Sequence, residues 1–281
     1  MIEFRPLTTD DIGTANALMQ AAFNSPNDWS SELRRYLSFQ PNYWVIAEER
    51  QTPVAMVGAT IYEHFAYIGM MGVHPNHQRK GIGQMVMAHL LNWLDHQGCP
   101  MALLDATALG EPLYTKLGFV PEGRRPLLDY RRATPPSPPV QHADVFTFTE
   151  LDEVAQFDAS IFGTTRRHVL ERLLRDYPDR SFLTRNAKRQ LTGYVIANER
   201  RLGPWAATEP EAAERLVRTV LQLPFSIAPS VIMPYHNKAG INLLVDLGFI
   251  SLRSCTHMRR GGSKHPAQLD YLYGQASYAI G

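Results

Sequence analysis

The sequence predicts two α/β domains, and three observations carry that prediction. The chain has 281 residues, where a single domain commonly takes roughly 100–200. Amphipathic helical stretches alternate with short apolar runs through both halves, the pattern of sheets flanked by helices. Between the halves, Thr134-Pro135-Pro136-Ser137-Pro138-Pro139-Val140 removes backbone donors and favours extended geometry, which reads as a semi-rigid spacer. The expected layout is a domain over 1–133, a linker over 134–140, a second domain over 141–261 and a tail over 262–281.

In the first half, Ile2–Arg5 reads as a strand, and Thr9 caps a helix running to Phe23, with Asp10 and Asp11 in its first turn. A helix over Ser31–Phe39 precedes three runs rich in Val, Ile, Tyr and Ala: Tyr43–Glu48, Val54–Tyr62 and Ala66–Val73. Turn residues separate them, so they are expected to be strands. Gly81–His96 places Ile82, Val86, Leu90, Trp93 and Leu94 at helical spacing, with Gly98 at the left-handed C-terminal cap. A strand over Met101–Thr107, a short helix over Glu111–Leu117 and a strand from Phe119 follow.

The second half repeats this order. Val145–Phe148 is strand-like, and Thr149 with Asp152 resembles a capping pair before a helix. Then come helix Arg166–Asp176, strands Phe182–Arg185, Leu191–Asn198 and Leu202–Trp205, and helix Pro210–Gln222. Strand Ser226–Met233, helix Lys238–Asp246 and a strand from Phe249 complete it. Leu117-Gly118-Phe119 recurs 130 residues later as Leu247-Gly248-Phe249, which together with the shared element order suggests internal duplication.

Composition excludes several classes of function. The chain is 44% apolar and 20% charged, an ordinary globular balance. Against 28 Lys+Arg stand 27 Asp+Glu, so a protein that grips nucleic acid by bulk charge is not expected. No apolar run is long enough to span a bilayer, and Met1-Ile2-Glu3-Phe4-Arg5 lacks the start of a secretory signal. Cys99 and Cys255 are too few for a disulfide scaffold or a thiolate metal site, so no metal and a cytoplasmic location are expected.

The informative stretch is Gly72-Val73-His74-Pro75-Asn76-His77-Gln78-Arg79-Lys80-Gly81-Ile82-Gly83-Gln84. A strand ends, a polar turn follows and a helix begins. Glycines 81 and 83 let a ligand approach the backbone, and the N–H groups of the first helical turn converge at the positive end of the helix dipole. That arrangement suits a pyrophosphate, and Arg79 and Lys80 add charge. The spacing fits neither a nucleotide P-loop nor a dinucleotide fingerprint. His74 and His77 lack further ligands at metal spacing.

Gln78-Arg79-Lys80-Gly81-Ile82-Gly83 resembles the Gln/Arg-x-x-Gly-x-Gly/Ala signature of the GNAT (Gcn5-related N-acetyltransferase) superfamily. Met71-Gly72-Val73-His74-Pro75 resembles the end of that family's fourth strand. Leu113-Tyr114-Thr115-Lys116-Leu117-Gly118-Phe119 resembles its closing motif. The resemblance implies two GNAT-like domains, each a mixed, mostly antiparallel sheet flanked by helices, with acetyl-CoA lying where the fourth and fifth strands splay. Met71, Gly72 and Val73 would meet the pantetheine arm, residues Gln78 through Gln84 would cradle the pyrophosphate, and Thr107 would hydrogen-bond the arm. Tyr114 matches the tyrosine near the thioester sulfur, and a phenol, with an ordinary pKa near ~10, can protonate a departing thiolate. Some members carry a glutamate base on the fourth strand where this chain has Tyr67. Glu63, His64 or a water would have to replace it.

The second half departs from the pattern. Its counterpart loop, Trp205-Ala206-Ala207-Thr208-Glu209-Pro210-Glu211-Ala212, has no Gly-x-Gly, and Glu209, Glu211 and Glu214 crowd the helix start. Carboxylates there satisfy the dipole and repel a pyrophosphate. Leu244 stands where Tyr114 would be. A degenerate copy that binds no acetyl-CoA is expected, shaping the acceptor pocket or a homodimer. The activity this implies is direct acetyl transfer from acetyl-CoA to a primary amine of a small molecule. A non-catalytic acyl-CoA sensor and a protein-modifying acetyltransferase are the alternatives. Acceptor-pocket residues are expected around Phe23–Trp29, Tyr36 and Glu63–Tyr67.

Overall fold

The computed structural model describes residues 1–264 and 266–281, without the side chain of Pro41. By contacts the chain forms two compact units that are not contiguous blocks. The first holds Met1–Pro121, Met258–Gly262 and Ile280; the second holds Glu122–His257, Ser263–Ala279 and Gly281.

The first unit contains β1 (Ile2–Pro6), α1 (Ile12–Phe23), α2 (Ser30–Phe39), β2 (Trp44–Glu49), β3 (Thr52–Ile61) and β4 (Ala66–Val73). It continues with α3 (Ile82–His96), β5 (Met101–Ala106) and α4 (Glu111–Lys116). Strands β1 to β4 pair antiparallel in sequence order, and β5 joins β4 in parallel. Arg50 and Gln51, both at positive φ, make the two-residue turn between β2 and β3. Ile82, Val86, Met87, Leu90, Leu91 and Leu94 turn one stripe of α3 onto the sheet, as the sequence periodicity predicts. Helix α1 covers the other face, where Met19 and Ala22 lie against Gly72.

Arg5 ties β1 to the start of α1 and to β2, bonding both Asp11 oxygens and Glu48 at 2.8 Å. Those hydrogen bonds from Arg5, with help from Thr8, hold the Asp11 carboxyl down at about 2. Because the folded value lies below the unfolded one, this stabilisation is present above about pH 4 and is lost as pH falls through 2. Asp11→Asn should therefore lower Tm at neutral pH and flatten the loss of Tm between pH 4 and 2. Parallel Tm–pH curves for the two proteins would show that the pair contributes nothing.

The second unit contains β6 (Val120–Tyr130) from Glu122 onward, β7 (Asp144–Val145), α5 (Leu151–Phe162), α6 (Arg167–Asp176), β8 (Ser181–Arg185), β9 (Leu191–Ala197) and β10 (Leu202–Ala207). It continues with α7 (Pro210–Val220), β11 (Ser230–Ile232), α8 (Lys238–Leu247), β12 (Phe249–Gly261) up to His257, and β13 (Leu272–Gly274). One sheet has the order β13-β10-β9-β8-β7, and β6 lies between β12 and β11. The core gathers Trp205, Leu216, Val217, Val220, Leu244 and Phe249.

Several features differ from the sequence expectations. The cap before α1 is Thr8, boxed with Asp11, rather than Thr9. The expected tail over 262–281 holds β13, which pairs with β10 in the second unit. The proline stretch is not the boundary, because β6 runs on to Tyr130 within the second unit. Pro136 is buried there, its carbonyl accepting from Gln222, just past α7, at 2.9 Å. Residues Met258–Gly262 of β12 belong to the first unit, where Met258 is in the core. The expected strand Val145–Phe148 stops at Val145, because Thr147 and Glu150, not Thr149 and Asp152, make the capping box before α5. The expected strand Ser226–Met233 shortens to Ser230–Ile232, as Pro229 supplies no donor.

Candidate active site

Strands β4 and β5 are in register from Ala66↔Ala102 to Ile68↔Leu104. Beyond that pair β4 continues through Gly69–Val73. Its course changes there: Met70 has φ 51°, and the register with β3 slips between Met56↔Gly72 and Gly58↔Gly69, the signature of a bulge. A bulge bends and twists its strand, so it turns this edge of β4 where the pairing with β5 ends.

The backbone past the bulge is aimed at that edge. The His74 N–H bonds to Val54 on β3 at 2.8 Å. Successive residues of a strand face opposite edges, so Val73 and Met71 direct their N–H and C=O groups away from β3. The Gln78 side chain reaches the Val73 carbonyl at 3.0 Å and braces the turn that follows.

That turn carries Arg79, exposed at φ 60°, and Lys80, also exposed. Gly81 caps α3 at φ 80° with no side-chain hydrogen bond, and the first helical bond is Met85 N–H to Gly81 at 3.1 Å. The amides of Ile82, Gly83 and Gln84 thus have no partner within the helix. A Cβ on Gly83 would lie 3.3 Å from Met71, 3.4 Å from Leu113 and 3.6 Å from Val73. Three elements, the α3 start, the end of β4 and α4, therefore converge on this glycine. Of the residues expected to cradle the anion, Ile82 offers only its backbone, since its side chain is in the core.

Tyr114 is half-buried on α4, its ring against Gly110 and 6.0 Å from Phe119. Thr107 is exposed, and its hydroxyl accepts from the Gly110 N–H at 3.2 Å, fixing the turn that leads to Tyr114. Glu63 and His64 are both exposed in the turn before β4, at the opposite end of that strand from Val73.

Sequence reasoning missed one pair. Tyr67, 1% exposed, donates to the Asp105 carboxylate at 2.5 Å. Ala66, Ile68, Leu104 and Ala106 pack on the α3 side, so alternation puts Tyr67 and Asp105 on the opposite face. The parallel register Tyr67↔Leu103 makes Asp105 its diagonal neighbour, and this juxtaposition was the available signal.

Cys99 lies just before β5, away from the splay. Its thiol donates to the Met101 carbonyl at 3.2 Å, and burial pushes its pKa up, the opposite of an activated nucleophile. Among the described residues, no helix is long and apolar enough to cross a membrane.

Comparison with known proteins bears directly on this arrangement. Residues 14–119 match the model of the acetyltransferase (GNAT) family, and residues 154–274 match a model described as an acetyltransferase (GNAT) domain. A Pyrococcus horikoshii structure, described as a candidate acetyltransferase, is 28% identical. The match covers 100% of this chain and 96% of that one, with a TM-score of 0.88. A GCN5-related N-acetyltransferase from Sphaerobacter thermophilus is 14% identical over 95% of this chain and 98% of its own, with a TM-score of 0.72. One from Anabaena variabilis is 16% identical over 92% and 72%, with a TM-score of 0.60. At those two identities the likeness is one of fold. None of the curated proteins compared matches the chain. Both halves fall within one superfamily, and the chain is a tandem GNAT protein, an acyltransferase.

Proposed function

We propose that the first unit moves an acetyl group from acetyl-CoA to a primary amine of a small molecule, by direct attack within a ternary complex. The observation that carries this reading is the parting of β4 and β5 after Ile68/Leu104 beside a helix start bared by Gly81 and Gly83. An extended pantetheine arm would add to the free edge of β4 through Met71 and Val73. Its pyrophosphate would rest on the amides of Ile82, Gly83 and Gln84.

The amine nitrogen would attack the thioester carbonyl carbon, with the Val73 N–H supporting the developing oxyanion. As the carbon–sulfur bond breaks, Tyr114 would give its proton to the leaving thiolate. Tyr114→Phe should lower kcat by about 10²-fold, within the usual range for a general acid, and leave CoA affinity nearly unchanged. Steady-state turnover over a panel of amines, paired with calorimetry, tests this. An unchanged kcat removes Tyr114 from the chemistry, and CoA binding without turnover on any amine favours a sensor.

Asp105 gives the acceptor its electrostatic cue. Its carboxylate, held by the Tyr67 phenol on the face away from α3, would attract a substrate that arrives as an ammonium. The amine would then lose its proton to water before attack. Asp105→Asn should raise KM for the amine about tenfold while the affinity for CoA stays constant. An unaltered amine KM would place the acceptor elsewhere.

A further inference from the structure

The second unit has its own version of the strand splay. Arg201, the residue before β10, bridges Ser230 of β11 in parallel, as Ala66 does Ala102, and the Ser230 N–H bonds Arg200 at 2.8 Å. Past that bridge another strand enters. β13 pairs antiparallel with β10 through Trp205↔Gly274 and Ala206↔Leu272. On its other side the Gln275 N–H donates to Ile232 of β11 at 2.7 Å. The opening between the two strands therefore holds main chain from the same protein, bonded to both walls.

The fit is close. A Cβ on Gly203 would lie 2.2 Å from the Gln275 carbonyl oxygen, and one on Gly274 would lie 2.7 Å from that of Leu202. Two backbones approach here at a distance that side chains forbid. Tyr273 is buried against Trp205, with ring centroids 5.0 Å apart. Asn237, 2% exposed, caps α8 by accepting from the Gly240 N–H at 2.8 Å, and its amide donates to the Leu272 carbonyl at 3.2 Å.

We propose that Leu272–Gln275 is a built-in occupant of the second unit's cleft, holding by strand addition the place that an acyl-CoA pantetheine arm would take. This unit binds no acyl-CoA, and each chain carries one. Naming the displaced ligand rests on the reading of the first unit given above. The rest of the cleft agrees. Only Thr208 and Glu209 separate β10 from α7, where His74–Gly81 separate β4 from α3. Pro210 opens α7 without an N–H, and Glu209 and Glu211 stand exposed at its start. Leu244, in the position of Tyr114, is a core residue with no proton to give.

Calorimetry of the full chain with CoA should give one equivalent, and Gly83→Glu should remove it all. Two equivalents, or saturable binding retained by Gly83→Glu, would overturn the proposal. Hydrogen exchange provides a readout that does not depend on the first unit. The Gln275 amide should exchange at least about 100-fold more slowly than an unstructured amide, with or without CoA. The amides of Gly81–Gln84 should slow only when CoA is added. Rapid exchange at Gln275, or protection there that appears only with CoA, overturns the proposal. Protection at Gln275 in a chain that takes up no CoA leaves the occupied cleft standing and sinks the reading of the first unit.

Discussion

Gly83→Glu should weaken CoA binding by at least about 100-fold while leaving the fold intact. The added side chain starts in a space bounded by Met71, Leu113 and Val73, and its carboxylate sits in the first turn of α3. There it would compensate the helix dipole and repel the phosphates that, in the reading proposed above, rest on the bared amides. Gly83→Ala separates charge from bulk: its methyl meets the flexible end of Met71 at 3.3 Å, and its loss should stay within about tenfold. Calorimetry measures both, and a thermal melt confirms folding. Wild-type affinity in the glutamate variant would mean the diphosphate rests elsewhere.

Asp158→Ala should cost the second unit about 3–5 kcal/mol, the usual penalty for stranding one member of a buried ion pair. Asp158 and Arg166 are both 0% exposed and joined by two hydrogen bonds of 2.8 and 2.9 Å. Tyr194 donates to the same carboxylate at 2.5 Å, and its phenol is pushed well up, by burial first and then by the charge of Asp158. The guanidinium lies 3.7 Å from the Phe162 ring centroid and also donates to the Gly281 carbonyl at 3.1 Å, so removing the carboxylate strips this buried charge of its two hydrogen bonds to Asp158. Replacing both partners at once, Asp158→Leu with Arg166→Met, should recover much of the loss. Urea unfolding followed through the second unit's transition measures this. A loss below about 1 kcal/mol would show that water reaches the pair.

The frame of the candidate site was legible because its requirements are local. A bared helix start needs glycine in a narrow window after a strand, and Gly81 and Gly83 stand in it. The stripe of α3 is equally local, set by Ile82, Val86, Leu90 and Leu94 at helical spacing. The Tyr67–Asp105 pair was harder to see, since it depends on the register of two parallel strands and joins residues 38 apart in sequence. In the second unit, Glu209 and Glu211 stand exposed at the start of α7, where the sequence places them. The occupant of that unit's cleft escaped because Leu272-Tyr273-Gly274 is too short to show periodicity. The proline run misled for a related reason. Composition marks where a chain is stiff, whereas the unit boundary follows strand pairing, and β6 and β12 each contribute residues to both units.

That exchange of strand ends bears on how the protein is made. Met258, wholly buried in the core around α3, is synthesised long after Phe119, the last residue of that core from the N-terminal half. Domains made on the ribosome usually fold in order of emergence. Here the core around α3 is complete only once Met258 has emerged, so a ribosome that stalls midway leaves a product lacking part of its own interior.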